Sequence, residues 1–250
     1  AAGLYATGLG IRFLDFGTIP AFLAGLAAGA VLAGILGALA LRAKGVAFMI
    51  VTLMFAQAVY LTILYFGEYT RGDEGFDIQQ AERVFAGIEL TGPTARYMAA
   101  LLLFSVSFLI IARIVQSPFG RSLVAIRENE ERARMLGYDV TRHKLKAVII
   151  SGVMSGAAGA AYALLFGYTG ATFATVQYSI LPLLWVLLGG AGVTIGPLIG
   201  TAFMFYLIDY SSSITTAYML VAGVALVLLT LFAPQGLAGE LRKRAFPWLP

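Results

Sequence analysis

The chain has 250 residues, of which 60% are hydrophobic and only 12% charged, with a mean hydropathy of +0.86. Soluble domains carry about a quarter charged residues, so this composition excludes an ordinary water-facing fold. Cysteine is absent and His143 is the single histidine, which removes disulfides, thiolate nucleophiles and cysteine metal sites and leaves one imidazole unable to build a metal centre alone. The net charge of +4 says less than where the charges stand.

Crossing the hydrocarbon takes about 20 apolar residues. The opening, Ala1 to Leu14, is apolar but is interrupted by Arg12 and Asp15. It begins with Ala rather than Met, so the natural N-terminus is expected to lie upstream, together with any signal segment or opening helix. Pro20 to Leu41 is the first charge-free block of spanning length, and Val46 to Phe66 is the second. Tyr97 to Ala112 is shorter, but Arg96 and Arg113 at its ends can snorkel to the two interfaces. From Ala147 to Ile208 there is no Asp, Glu, Lys, Arg or His. Within it, Ala147 to Gly167 reads as one span and Tyr168 to Ser179 as an outer loop. Leu181 to Leu188 and Ile195 to Ile208 then flank Gly189, Gly190, Gly192, Gly196 and Pro197, as two short crossings or a re-entrant pair. Ile214 to Ala233 is the last block. The expected fold is all-α: a polytopic transmembrane helix bundle, one domain over residues 1–250, with a glycine-rich broken or re-entrant segment and a cytoplasmic helix.

Lys and Arg in the loops set sidedness. Arg42 and Lys44 place the first turn in the cytoplasm. The loop 67–96 has three arginines against six acids and reads as extracytoplasmic. The loop 116–142 lies in a strongly basic segment and reads as cytoplasmic, as does the tail, 234–250, with Arg242, Lys243 and Arg244.

Several stretches could carry function. In the inner loop, Ser117-Pro118 is a good helix start and Gly137 a good stop. The pairs Arg127–Glu131, Glu128–Arg132 and Glu130–Arg134 stand four apart, so opposite charges would face each other on one helix. It is either a docking helix for a soluble partner or a solvated connector. Around Arg71-Gly72-Asp73-Glu74-Gly75, two glycines and two acids suggest a tight turn, which turn chemistry alone explains unless a partner docks there. The glycine cluster is either close helix packing, aided by Gly152-x-x-x-Gly156, or a break lining a solute path. No ionisable residue lies inside a full-length span, which argues against an ion-coupled carrier. Thr52, Gln57, Ser105, Ser107, Ser151 and Ser155 suit a small neutral or zwitterionic solute, or helix–helix hydrogen bonds.

Five segments resemble the permease subunits of ATP-driven branched-chain amino acid importers, a family that also includes urea and amide permeases. They are Leu41-Arg42-Ala43-Lys44-Gly45 leading into Val51-Thr52-Leu53; Gly72-Asp73-Glu74-Gly75; and Ser117-Pro118-Phe119-Gly120-Arg121 with Ala125-Ile126-Arg127-Glu128-Asn129-Glu130. The fourth is Leu188-Gly189-Gly190-Ala191-Gly192 with Gly196-Pro197-Leu198-Ile199-Gly200, and the fifth Pro234-Gln235-Gly236-Leu237. The likeness covers nearly the whole chain, and the third segment is the most specific. Arg71 departs from it, standing where the family usually has Gly or Thr, and the family's opening helices are absent.

The resemblance implies a multi-pass inner-membrane subunit working with a second permease, two cytoplasmic ATPases and an extracytoplasmic solute-binding protein, surrounded by lipid and without nucleic acid. It makes Ser117 to Leu136 a coupling helix, with Gly120, Arg121, Arg127, Glu128, Asn129 and Glu130 meeting an ATPase. Gly72, Asp73, Glu74 and Gly75 become a contact for the binding protein, and Gly189, Gly190, Gly192, Gly196 and Pro197 remain the candidate path or gate. No cofactor and no metal are expected, and no catalysis: the chain has no Gly-x-x-x-x-Gly-Lys loop, so ATP chemistry belongs to partners. The expected solute is a branched-chain or related small amino acid, with urea or short amides as the alternative. A stand-alone secondary carrier lacks the mid-span acids it needs, and an intramembrane enzyme lacks a nucleophile.

Overall fold

The computed structural model describes residues 1–79, 84–85, 88–89, 92–190, 192, 194–232 and 236–245. The protein is an all-α polytopic membrane helix bundle. In order come α1 (Ala2–Leu14), α2 (Thr18–Ala40), α3 (Val46–Tyr65), α4 (Gly67–Thr70), β1 (Phe76–Asp77), β2 (Val84–Phe85), β3 (Ile88–Glu89) and α5 (Pro93–Gln116). They are followed by α6 (Pro118–Glu128), α7 (Glu130–Met135), α8 (Val140–Phe166), β4 (Tyr168–Thr169), a 3₁₀ turn over Ala171–Ala174, α9 (Val176–Gly189), α10 (Gly196–Ile214), α11 (Tyr218–Phe232) and α12 (Gly236–Ala245). Among the described residues, α2, α3, α5 and α8 are long and apolar enough to cross a membrane, with mean hydropathies of 2.2, 2.1, 2.4 and 1.8. By contacts the chain divides into two compact units, Ala1–Thr175 and Val176–Pro250.

The first unit is organised around α1, α2 and α8. Bilayer lipid is as apolar as leucine, so helices there associate through close packing rather than through exclusion of water, and small residues mark the seams. Gly25 and Gly29 on α2 face Gly156 on α8. A Cβ on Gly156 would stand 2.7 Å from the Gly25 carbonyl oxygen and 3.1 Å from the Gly29 Cα. The Gly152-x-x-x-Gly156 pair therefore serves the α2–α8 seam. Gly3 of α1 meets the Gly156 backbone, and Leu4, Thr7 and Ile11 are buried, with the Thr7 hydroxyl donating to the Ala21 carbonyl at 3.1 Å. The apolar opening is thus a packed core helix, and Arg12 lies in its last turn.

α3 and α5 bury no residue within the described chain. Pro93 occupies the first turn of α5, a place proline suits, so this span is longer than the sequence suggests and takes in Arg96. α8 likewise starts at Val140 rather than Ala147 and carries His143, Lys144 and Lys146 on its first turns. Within the spans, Thr52 donates to the Met49 carbonyl at 2.9 Å and Ser105 to the Leu101 carbonyl at 2.7 Å. These two hydroxyls satisfy themselves on their own helices.

In the second unit, α9 and α10 pack as an antiparallel pair, with Leu188, Met204 and Ala222 forming a core that Trp185, Leu207 and Ile208 extend. The segment Tyr168 to Ser179 is only partly a loop, because α9 begins at Val176. α10 runs through Asp209 to Ile214, so that acid lies inside a helix. The last apolar block starts at Tyr218 as α11.

Candidate functional site

The inner loop is built as two helices set at a joint, not as one. Ser117 caps α6, its Oγ accepting from the Gly120 amide at 3.2 Å while donating to the Ile114 carbonyl at 2.6 Å. Gly120 is buried where α6 leaves α5; a Cβ there would run into the Val115 and Ile114 carbonyls, so only glycine permits the corner. α6 ends at Glu128 because Asn129 is extended, at φ −155°, ψ 104°, and caps α7 by accepting from the Arg132 amide at 2.9 Å. Asparagine is among the best N-caps, and its side chain competes with helix continuation. The single helix expected from Ser117 to Leu136 is therefore broken. The pairs Arg127–Glu131 and Glu128–Arg132 straddle the break, and among the described residues neither forms.

The third pair does form. Glu130 Oε1 accepts from Arg134 at 2.7 Å and Oε2 from Lys144 Nζ at 2.6 Å. The bond to Lys144, with its charge and that of Arg134, holds the Glu130 carboxyl below the usual carboxylate range. Lys144 belongs to α8, so this carboxylate ties the inner element to a membrane span. Ile126, Ala133 and Val140 form a small buried cluster joining α6, α7 and the start of α8. His143 stacks on Phe119 with ring centroids 5.8 Å apart, and Asp139 caps α8 by accepting from the Arg142 amide at 3.0 Å. On this base Arg121, Arg127, Glu128 and Asn129 are exposed. Of the six residues expected at this site, Gly120 shapes a corner, Glu130 is a strut, and the other four present themselves outward.

Between the α2–α3 turn, α7 and α8 lies a cavity of about 440 Å³. Lys44, Arg134 and Lys144 bring three positive charges to it against the one carboxylate of Glu130, while Leu41, Phe48, Leu123 and Val148 give it an apolar wall. Sequence reading did not find it, since its cations come from three separate elements.

The 67–96 loop is clipped onto the end of α8. β1 pairs antiparallel with β4, Phe76 opposite Thr169, and the Ile78 amide donates to the Gly167 carbonyl at 2.7 Å. Arg71, Gly72 and Gly75 all have positive φ, at 56°, 53° and 67°. Arg71 thus adopts the left-handed conformation that suits glycine. Gly75 is buried, and a Cβ on it would meet the Thr169 carbonyl. Asp73 and Glu74 are exposed, Asp73 accepting from the Tyr60 hydroxyl at 3.2 Å. Residues 80–83, 86–87 and 90–91, Glu82 and Arg83 among them, lie outside the described residues.

At the glycine cluster, Gly189 and Gly196 are in backbone contact and a Cβ on Gly200 would stand 2.7 Å from the Gly189 amide nitrogen. Gly190 has φ +106° and lies against the Gly236 backbone at the start of α12. Gly192 is exposed with nothing near it, and Pro197 sits in the first turn of α10. Ala191 lies outside the described residues, as do residues 233–235 and 246–250 of the tail. Among the described residues no cluster of His, Cys, Asp and Glu could hold a metal.

A model of the family described as branched-chain amino acid transport system, permease component, matches residues 1–233. The chain is 31% identical over 226 residues to the high-affinity branched-chain amino acid transport system permease protein LivM of Salmonella typhimurium. The alignment covers 81% of this chain and 53% of that protein. It has the same identity and coverage with LivM of Escherichia coli. A probable branched-chain amino acid transport permease protein LivM of Methanocaldococcus jannaschii is 29% identical over 76% of this chain and 59% of its own. The chain thus spans a little over half the length of these curated relatives. No solved structure matches it significantly. Spanning helices, the inner capped pair and a family match over nearly the whole chain agree: this protein belongs to the permease components of branched-chain amino acid transport systems.

Proposed function

We propose that the chain is the membrane-spanning permease subunit of an ATP-driven importer for branched-chain or related small amino acids. It would work in the inner membrane with a second permease, two cytoplasmic ATPases and an outside solute-binding protein. The observation that carries this reading is the inner element. Two capped helices present Arg127, Glu128 and Asn129 outward while Glu130 and the Ile126–Ala133–Val140 cluster fix their base to α8. A connector needs no such base. An element that receives a push from a soluble partner and passes it to a span does, because force is lost through a hinge that yields.

In this reading the 67–96 loop faces the binding protein through Asp73 and Glu74, with Gly72 and Gly75 shaping the turn, and the 234–250 tail is cytoplasmic. A part in the solute path or gate falls to the α9–α10 junction. There Gly189, Gly190 and Gly196 hold the helices at backbone contact, while exposed Gly192 and half-buried Pro197 are left to face a cavity. Substrate names on the LivM relatives support branched-chain amino acids over urea or short amides. A secondary carrier is disfavoured, since Asp209 is the only Asp, Glu, Lys, Arg or His from Ala147 to Ala233.

The test is to purify the protein with its accompanying subunits, reconstitute it, and measure ATP hydrolysis with each solute and the soluble binding protein. Leucine, isoleucine or valine should stimulate hydrolysis more than urea or acetamide does. Copurification without any ATPase, or uptake that continues without ATP, would overturn the proposal.

A further inference from the structure

The cavity beneath the inner element has a composition that the coupling role leaves unexplained. Its floor is the ends of three membrane spans: Leu41 closes α2, Gly45 and Phe48 open α3, and Val140 opens α8. Glu130 already accepts from both Arg134 and Lys144. Lys44 also lines the space, and among the described residues no carboxylate lies within ion-pairing distance of it. Three cations against one acid leave an excess of two positive charges around about 440 Å³. Coupling α7 to α8 requires Lys144 and Glu130 but gives no reason for Lys44 or for open space beside them.

The wall decides what chemistry fits. Leu41, Phe48, Leu123 and Val148 line the same cavity, so a small hydrated anion would leave half of it unsatisfied. An amphipathic anion satisfies both halves. The apolar side continues along α3, where Val46, Met49 and Ile50 are exposed at 72%, 56% and 49%. These three lie in the first turns of a span, at the depth where acyl chains begin, and Lys44 sits just outside, at the depth of headgroup phosphates. Basic pockets at the ends of spans are suited to anionic lipid headgroups.

We infer that the Lys44–Arg134–Lys144 cavity is a binding site for the phosphate headgroup of an anionic phospholipid, with an acyl chain lying along the start of α3. The lipid bridges the α2–α3 turn to α7 and α8, so its presence fixes the inner element to the membrane surface on a second side. The same cations and shape offer less to a zwitterionic headgroup, whose own ammonium would meet Lys44.

The experiment uses the protein purified with its accompanying subunits, stripped of lipid and exposed to mixed micelles of phosphatidylglycerol and phosphatidylcholine. Native mass spectrometry counts the lipids retained. The expected result is preferential retention of phosphatidylglycerol. It should fall about fivefold in Lys44→Ala, as expected for one cation near an anionic headgroup, and be kept in Lys44→Arg. Lys44 is exposed and, among the described residues, takes part in no ion pair, so the assembled yield of Lys44→Ala checks that folding is unaffected. Inorganic phosphate added in excess should leave the lipid in place; its displacement of the lipid would make this a free-anion site and overturn the assignment. Equal retention of the two lipids, or a preference unchanged in Lys44→Ala, would also overturn it. So would a crosslink from position 44 to an ATPase subunit, since the space would then belong to that partner. Failure of the transport proposal would leave the lipid counts unaffected, so the two are separable.

Discussion

Two glycines on α2, five residues apart, give opposite expectations for the same substitution. A Cβ on Gly29 would overlap the Gly152 carbonyl and stand 2.9 Å from the Gly156 Cα and 3.2 Å from its nitrogen. All three neighbours are backbone of α8 and cannot rotate away. A Cβ on Gly34 would meet only the side chain of Ile149, at 3.6 and 3.7 Å. Carbon atoms pack best at about 3.5–4.0 Å, so Gly29→Ala must push α2 and α8 apart by about 0.7 Å. A gap of that order forfeits about a quarter to a half of each contact along the seam. Overpacking of this kind costs about 1–3 kcal/mol. Both variants gain the helical preference of alanine over glycine, about 0.8–1.0 kcal/mol, and that gain cancels in the comparison. Gly34→Ala should therefore be neutral or stabilising, and Gly29→Ala should lie about 1–3 kcal/mol below it, roughly 2–12 °C in unfolding midpoint for a chain of this size. Helical circular dichroism on heating in detergent, with folded yield by gel filtration, measures both. Should Gly29→Ala unfold at or above the Gly34→Ala midpoint, the α2–α8 seam is not the close backbone contact described here.

Sidedness can be read by placing cysteines in a chain that has none. Buried Gly75, with φ +67°, would not tolerate one, so exposed Glu74→Cys is the outside probe and Asn129→Cys the inside one. An impermeant thiol reagent on intact cells should label the first alone, and the reverse pattern would invert the topology. Glu130 has a lowered pKa in the folded protein, so its stabilising contribution is present above the unfolded carboxylate pKa, about 4.3. It is lost as pH falls through the lower folded value. Glu130→Gln should accordingly reduce stability near neutral pH by about 0.2–1 kcal/mol per half-exposed pair, and the gap from the unaltered protein should close on acidification in the same melting assay. Gly190→Leu should lower the yield of assembled protein, because its φ of +106° and the adjoining Gly236 backbone leave no room for a side chain. Uptake normalised to purified complex checks this, and full assembly with uptake lost would move the residue from packing to the solute path.

The spans were legible in the sequence because the constraint on them is local. Hydrocarbon forces each crossing segment to satisfy its own backbone, so length and apolar content alone locate α2, α3, α5 and α8, with errors only at the ends where Arg96 and His143 to Lys146 sit inside helices. Local chemistry also announced the start of the first inner helix, Ser117 with Pro118, and the stop at Gly137. Opposite charges four apart looked like one continuous helix, yet the same residues permit a break. Asn129 can continue a helix or cap a new one, and the buried Ile126–Ala133–Val140 cluster goes with the capped geometry. The opening segment read only as an apolar stretch interrupted by Arg12 and Asp15; Gly3, Thr7 and Ile11 acquire meaning only from what α2 and α8 place against them. Glycines say the same thing at every seam, since the sequence shows a missing side chain and the fold alone shows which backbone fills the space. Glu130 and Lys144, fourteen residues apart, and Lys44 on another turn have no periodicity to connect them. Long-range pairing of charges is set by how helices cross, and that is decided by tertiary packing.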